Sequence, residues 1–448
     1  MKDEDDSLGT NEVSYFPHKF KDLWDRTKEI FNTEIKTISD INTTFYEGKS
    51  KLFKEIEESY PEEGKEFIKI YKNICSLVLD LENIFKDEIK ILKSNTTDFI
   101  ILNRKQVALI FILGFFNIFS FDMKKMQVNP RYNFNDILNS NKGPDLSKGR
   151  SFLNYITVIG KWLEGNNPLL EEKISFIREN KDFNIKNFNE EKKLCDIKII
   201  KEGSLFDSDA SFCIDFANMF IGGGVLSGGC VQEEILFSVE PEAIVSIFLM
   251  EKMEENDAIR IDNLIQYSKY SGYGWSFKYE ENAIKDNNKI IKHNIIAIDA
   301  ICSFSSGGVE KEYVERDLIK AYIGFNLINF NNDNILKLKK TIATGNWGCG
   351  AFGGDFELKF IQQWLAASYA GVDKLYYYTF KRKEMDSIVD NKEKLKLLDF
   401  DDLYLKIMAK TLIKGEVLDI VLNNDEKEIK EEKNNKNFHK KKPDCCFE

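Results

Sequence analysis

Along FKDLWDRTKEIFNTEIKTI and EFIKIYKNICSLVLDLENIF, apolar residues recur at spacings of three and four, the period of a helix with one buried face. Residues 1 to about 190 therefore predict helices. Glycine usage agrees, since eight of the 26 glycines fall in the first 200 residues and glycine weakens helix interiors. The run VALIFILGFF (107–116) is apolar all round but shorter than the ~20 residues of a membrane span, so it predicts a buried core helix. From Ile197 the pattern changes to short strand-like runs: IKII, SFCIDFA, AIRID, NIIAIDAI, KTIAT and KLYYYTF. Between them lie helical patterns such as EEILFSVEPEAIVSIFLMEKM, VERDLIKAYIGF and FELKFIQQWLAAS. That alternation predicts an α/β domain with a mostly parallel or mixed sheet over 191–422. The tail, 423–448, is charged and nearly without aliphatic residues, so disorder is expected there.

The net charge of −11 argues against a general basic surface, so direct binding of duplex nucleic acid is not expected. An anionic ligand would have to be held locally, by backbone amides. Eight cysteines are scattered with no pair at CxxC spacing, and there are only three histidines, which is poor material for a metal site. The pattern reads as reduced thiols, and the acidic start MKDEDDSLGT is unlike a secretory signal. An intracellular monomer is expected, in the nucleus or the cytoplasm, without membrane attachment.

Ten of the 26 glycines crowd into 222–229 and 345–354, each window following a strand-like run and preceding a helical one. A glycine turn at such a junction lets bare backbone approach a ligand and aims amides and a helix N-terminus at it, which suits a phosphate or diphosphate. Within the second window GCGAFG satisfies the dinucleotide fingerprint, but the acid about 20 residues on, Asp373, precedes its strand instead of ending it. A nicotinamide-dependent dehydrogenase is thereby disfavoured.

Glu-Glu doublets occur seven times besides 233–234, so the doublet alone carries no signal. Glu233 and Glu234 differ in position: they follow a glycine turn and open an apolar helix. Capping of that helix is the plainest role. Beside a ligand held by the loop, burial and a neighbouring anion would raise the pKa of at least one acid, giving a proton donor for a leaving oxygen. Asp215, on the strand feeding the loop, is a candidate orienting partner.

Taken together, DFANMFIGGGVLSGGCVQEEILF resembles the signature of the poly(ADP-ribose) glycohydrolases, three glycines followed after a short gap by Gln-Glu-Glu. ATGNWGCGAFGGD resembles that family's diphosphate-binding loop and QYSKYSGY its substrate-tyrosine segment, and the similarity covers roughly residues 100 to 385. The resemblance implies a macrodomain-like three-layer α/β/α sandwich with a mixed sheet at 191–422, preceded by an α-helical accessory domain at 1–190. It implies hydrolysis of ribose–ribose O-glycosidic bonds in poly(ADP-ribose), releasing ADP-ribose, with no cofactor or metal. Partners would be poly(ADP-ribose) and ADP-ribosylated proteins, in polymer catabolism and the response to DNA damage. By motif, Glu234 would be the general acid and base, Glu233 would hold ribose hydroxyls and Asp215 would support the pair. Gly222, Gly223 and Gly224 would approach the substrate, while Asn218 and Gln232 would contact ribose and adenine. Tyr273, Asn346, Trp347, Gly348, Cys349, Gly350 and Ala351 would surround the diphosphate, with Phe380 on the distal ribose and Leu205 and Phe206 in the adenine pocket. The rival reading is a non-catalytic reader of ADP-ribose, against which stands the intact Gln-Glu-Glu.

Overall fold

The computed structural model describes residues 13–185, 188, 192–284, 290–302, 308–330, 338–409 and 412–422. The tail expected to be disordered, 423–448, lies outside them. Two compact units share the described chain: the first takes residues between 13 and 181 and between 212 and 299, the second takes the rest. The strands that matter below are, in chain order, β1 (Asp98–Asn103), β2 (Lys173–Asn180), β3 (Asp196–Ile200), β4 (Phe212–Ala217), β5 (Asp257–Ile265), β6 (Lys292–Asp299), β7 (Thr341–Gly345) and β8 (Lys374–Tyr378).

In the first unit the strands run β1-β2-β5-β6-β4. The first three pairings are antiparallel and the last is parallel, with Ala297 opposite Asp215, so the sheet is mixed. Strand β4 is buried at every position except the half-buried Phe216, which is why FCIDFA reads as a continuous apolar run instead of an alternating one. The helices of this unit include α1 (Pro61–Leu79), α2 (Arg104–Phe115) and α3 (Gly143–Glu164). Helix α2 starts in a capping box between Asn103 and Gln106, and every residue from Val107 to Phe115 is buried, as expected of VALIFILGFF. Phe111 packs edge-on against Phe134, Phe152 and Tyr155, joining α2 to α3. Gly160 of α3 lets Ile70 of α1 close to where a β-carbon would stand, 2.6 Å away, so helix spacing here depends on the missing side chain.

The expected helical stretch to about 190 is thus helical with a correction: it also supplies β1 and β2, and the compact units do not divide at 190. DFIILN is short and largely apolar, and KISFIREN carries only three apolar residues in eight. Such runs carry no period of their own, and the pairing of Ser175 with Asp262 and Phe176 with Ile261 settles them as strands. The pattern EEILFSVEPEAIVSIFLMEKM is not one helix but three pieces. Helix α4 (Gln232–Val239) stops where Pro241 starts a 3-10 turn, and a short helix, Val245–Leu249, follows.

In the second unit β7-β8-β3 are parallel, with Thr341 opposite Lys374 and Lys374 opposite Asp196. Helix α5 (Lys311–Asn326) and helix α6 (Phe356–Ala370) belong to this unit, and the buried Lys359 of α6 pairs with the buried Asp317 of α5. Among the described residues, no helix is long and apolar enough to cross a membrane.

Candidate active site

Strand β4 delivers Asp215 into the interior, the chain turns through Asn218 to Val231, and α4 begins with Gln232, Glu233 and Glu234. These three side chains reach back to three different places. The Gln232 side chain accepts from the amide of Phe216 at 2.8 Å and donates to the carbonyl of Ile214 at 3.2 Å, tying the helix start to the strand. Glu233 accepts from the amides of Asn218 at 2.9 Å and Gly222 at 2.6 Å. Glu234 accepts from Gly224 at 2.9 Å and from Val231, the residue capping its own helix, at 2.8 Å. Four backbone amides therefore hold two adjacent carboxylates, each buried to 6% exposure or less.

This arrangement accounts for the run of glycines. Gly222 and Gly223 take φ of +86° and +49°, the left-handed region that side chains disfavour. A β-carbon on Gly223 would stand 2.5 Å from Glu234 Oε1 and 2.6 Å from Glu233 Oε2, and one on Gly229 would stand 2.7 Å from Glu234 Oε1. The bare backbone lets the acids come this close. Of the amides expected to face an anion, those of Gly222 and Gly224 are taken by the carboxylates, and those of Gly223, Val225, Ser227 and Gly229 by turn carbonyls.

Beneath the pair, Asp215 is fully buried and neither carboxylate oxygen has a hydrogen-bond partner. Burial, then the charge of Glu234, pushes its pKa well above the ordinary carboxyl range. Glu233 is also raised, by burial first and then by Asp215 and Glu234, against the pull of its two amide donors. Asp215 has no donor to favour its charged form, and we place the retained proton there. Asn218 turns its side chain to the amide of Phe220, 3.0 Å away. Tyr273 is 60% exposed, yet its phenol lies near the Gln232 backbone and Glu234, and desolvation followed by the Glu234 charge raises its pKa.

Two cations that sequence reasoning did not single out hold the outer side of the loop. Lys148 of α3 is fully buried and donates to the carbonyls of Ser227 and Gly229, each at 2.7 Å, with Asp145 at 3.1 Å. Burial lowers its pKa. Arg131 donates to the carbonyl of Gly223 at 2.8 Å and lies 4.4 Å over the Phe220 ring. The Gly223 carbonyl held by Arg131 shares its peptide with the Gly224 amide that meets Glu234. The only trace of Lys148 in the sequence is a lysine between Ser147 and Gly149 with an acid three residues before it.

The second unit places its own expected residues. After β7, the side chain of Asn346 donates to the carbonyl of Thr379 at 3.2 Å. Trp347 is fully buried beneath Lys359, whose Nζ lies 4.4 Å from the ring centroid. Cys349 is buried as well, which pushes its thiol up to about 12. Two side chains of the loop thus point inward, and its backbone is what remains for a ligand. The amides of Gly348, Gly350 and Ala351 have no partner among the described residues. Phe380 is 39% exposed and adopts φ of +52°, followed by Lys381 at +55°, two consecutive non-glycine residues in a conformation such residues rarely take. Leu205 and Phe206 lie in a 3-10 turn capped by Ser204, with Leu205 buried and Phe206 partly so.

A helical region with a mixed α/β sheet, and a glycine loop clasping paired acids, define a macrodomain-fold catalytic domain with a helical domain before it. Comparison with known proteins agrees. The model described as "Poly (ADP-ribose) glycohydrolase (PARG), helical domain" matches residues 59–178, and "Poly (ADP-ribose) glycohydrolase (PARG), Macro domain fold" matches 185–387, together well over half of the chain. Poly(ADP-ribose) glycohydrolase 1 of Arabidopsis thaliana is 28% identical over 365 residues, which is 66% of this chain and 66% of that one. Poly(ADP-ribose) glycohydrolase 1 of Caenorhabditis elegans is 38% identical over 220 residues, 44% of this chain and 27% of that one. The chain thus spans less than two thirds of the length of these relatives. It belongs to the poly(ADP-ribose) glycohydrolase family.

Proposed function

We propose that this chain hydrolyses the ribose–ribose O-glycosidic bonds of poly(ADP-ribose) and releases ADP-ribose. The observation that carries the reading is the Glu233–Glu234 pair, immobilised by four amides over a buried Asp215 in a chain of this family. In this mechanism Glu234 takes up a proton with the bound anionic substrate and gives it to the departing ribose 2′-oxygen as the bond to the anomeric carbon breaks and an oxocarbenium-like state forms. The resulting carboxylate takes a proton from water, whose oxygen bonds to the anomeric carbon. Each turnover thus returns Glu234 to its protonated form. Glu233 accepts from ribose hydroxyls and Asp215 supports it. Tyr273 meets the diphosphate; in the second unit, the open amides of Gly348, Gly350 and Ala351 suit an anion and the Phe380 ring suits the face of a sugar. Backbone donors suit a polyanion in a chain with a net charge of −11. Partners would be polymer chains and the proteins bearing them, in the nucleus or cytoplasm, consistent with the scattered cysteines.

Incubation of the purified protein with poly(ADP-ribose), followed by separation of the products, tests this. Monomeric ADP-ribose is the expected product. Bound but uncut polymer would replace the reading with that of a reader, and no interaction would remove both.

A further inference from the structure

Trp275 is the most exposed aromatic side chain among the described residues, at 78%. It is not on a loose loop. Gly272 takes φ of +75° at a point where a β-carbon would stand 2.0 Å from the carbonyl oxygen of Ser276, so the turn closes on itself there. The Ser276 hydroxyl donates to the Tyr273 carbonyl at 2.9 Å and accepts from the Tyr273 amide at 3.0 Å, and the Phe277 amide bonds the Gly274 carbonyl at 3.1 Å. Phe277 is buried against Ile235 and Val239 of α4, the helix that opens with Glu233 and Glu234. The indole is therefore held out from a turn anchored to the helix bearing the acids, two residues beyond the tyrosine whose phenol lies near Glu234.

A cation accompanies it. Lys142 Nζ lies 5.9 Å from the indole centroid, and 3.6 Å from where a β-carbon of Gly228 would stand, so it sits between the ring and the glycine loop. An exposed ring with an ammonium beside it matches one chemical unit, an aromatic base joined to phosphate. Any base offers a π-face to an indole, and an exposed ammonium gains from a phosphate in proportion to how little salt screens it.

We propose that Trp275 and Lys142 form a subsite for the adenine and phosphate of the polymer unit adjoining the one whose bond Glu234 cleaves. The inference rests on the proposed hydrolysis and deepens it: it sets a preference for polymer over a single ADP-ribose unit. Stacking of one base on one ring contributes about tenfold in affinity.

The test compares Trp275→Ala and Trp275→Phe with the parent. On poly(ADP-ribose), Trp275→Ala is expected to raise KM about tenfold at unchanged kcat, while the inhibition constant of free ADP-ribose stays within twofold, and Trp275→Phe recovers most of the loss. A polymer KM within twofold of the parent overturns the proposal. A parallel rise in the ADP-ribose constant also overturns it, since the residue would then act on the cleaved unit. A second readout does not require turnover. Trp24, Trp162, Trp347 and Trp364 are 6% exposed or less, so acrylamide-quenchable fluorescence reports Trp275. Poly(ADP-ribose) is expected to protect it and ADP-ribose is not. If the parent releases no ADP-ribose, hydrolysis fails as a reading, and protection by polymer still decides the subsite: none overturns it.

Discussion

Replacing Gly223 with alanine places a methyl group where two carboxylates already meet the backbone. Two effects add. The residue keeps φ of +49°, a conformation that costs an L-residue about 1–2 kcal/mol. The new β-carbon would lie 2.5 Å from Glu234 Oε1 and 2.6 Å from Glu233 Oε2, well inside contact distance, so both acids must retreat by roughly 0.5–1 Å. That retreat stretches amide bonds to charged acceptors, each worth about 1.5–3 kcal/mol when intact. With partial loss of these, the variant should be less stable by about 2–4 kcal/mol in urea unfolding. Displacement of an acid by about 1 Å costs on the order of a hundredfold in turnover, read as release of ADP-ribose from polymer. Gly228→Ala is the control, because its β-carbon would meet only Lys142 Nζ at 3.6 Å and its φ is not positive. Parent-like stability and turnover in Gly223→Ala would refute the idea that bare backbone is there to seat the acids.

The raised pKa of Asp215 has a sign that can be measured. Above the ordinary carboxyl range but below the raised folded value, the unfolded chain has lost this proton and the folded chain keeps it, so stability falls as pH rises, by up to about 1.4 kcal/mol per pH unit. Asp215→Asn should flatten urea-derived stability above the ordinary carboxyl range relative to the parent; equal slopes would contradict the assignment. Lys148→Met removes the donor to two loop carbonyls and leaves the buried Asp145 without its cation, so a loss of about 3 kcal/mol and weaker turnover are expected, and a thermally neutral variant would contradict the clamp. Phe380→Gly relieves a left-handed backbone, so stability should hold or rise by about 1 kcal/mol while ADP-ribose binding weakens in calorimetry; unchanged affinity would make the ring merely structural.

What the sequence could and could not disclose follows from the range of each interaction. The strands SFCIDFA and KTIAT, the helix in VALIFILGFF and the start of α4 were legible because local apolar patterning and turn residues decide them. Strands β1 and β2 were not, since DFIILN and KISFIREN acquire their state only by pairing with each other and with β5. At the site, the glycines and acids were visible as a group, but the destination of the amides was not. Whether Gly224 offers its N–H to a ligand or to Glu234 depends on how a ten-residue turn closes. Lys148 and Arg131 were invisible for a related reason. Their partners lie roughly 80–90 positions away, and nothing local marks a lysine in a helix as buried.

The proposed hydrolysis requires Glu234, held over the glycine loop, to supply the proton that breaks the sugar linkage. Glu234→Gln retains the side-chain volume and an amide oxygen that accepts from Gly224 or Val231, but it cannot give up or take the proton. Measured side by side with the parent, it should bind ADP-ribose within a few-fold in titration calorimetry and lose at least about a hundredfold of ADP-ribose release from poly(ADP-ribose). Release at near the parental rate would contradict the account.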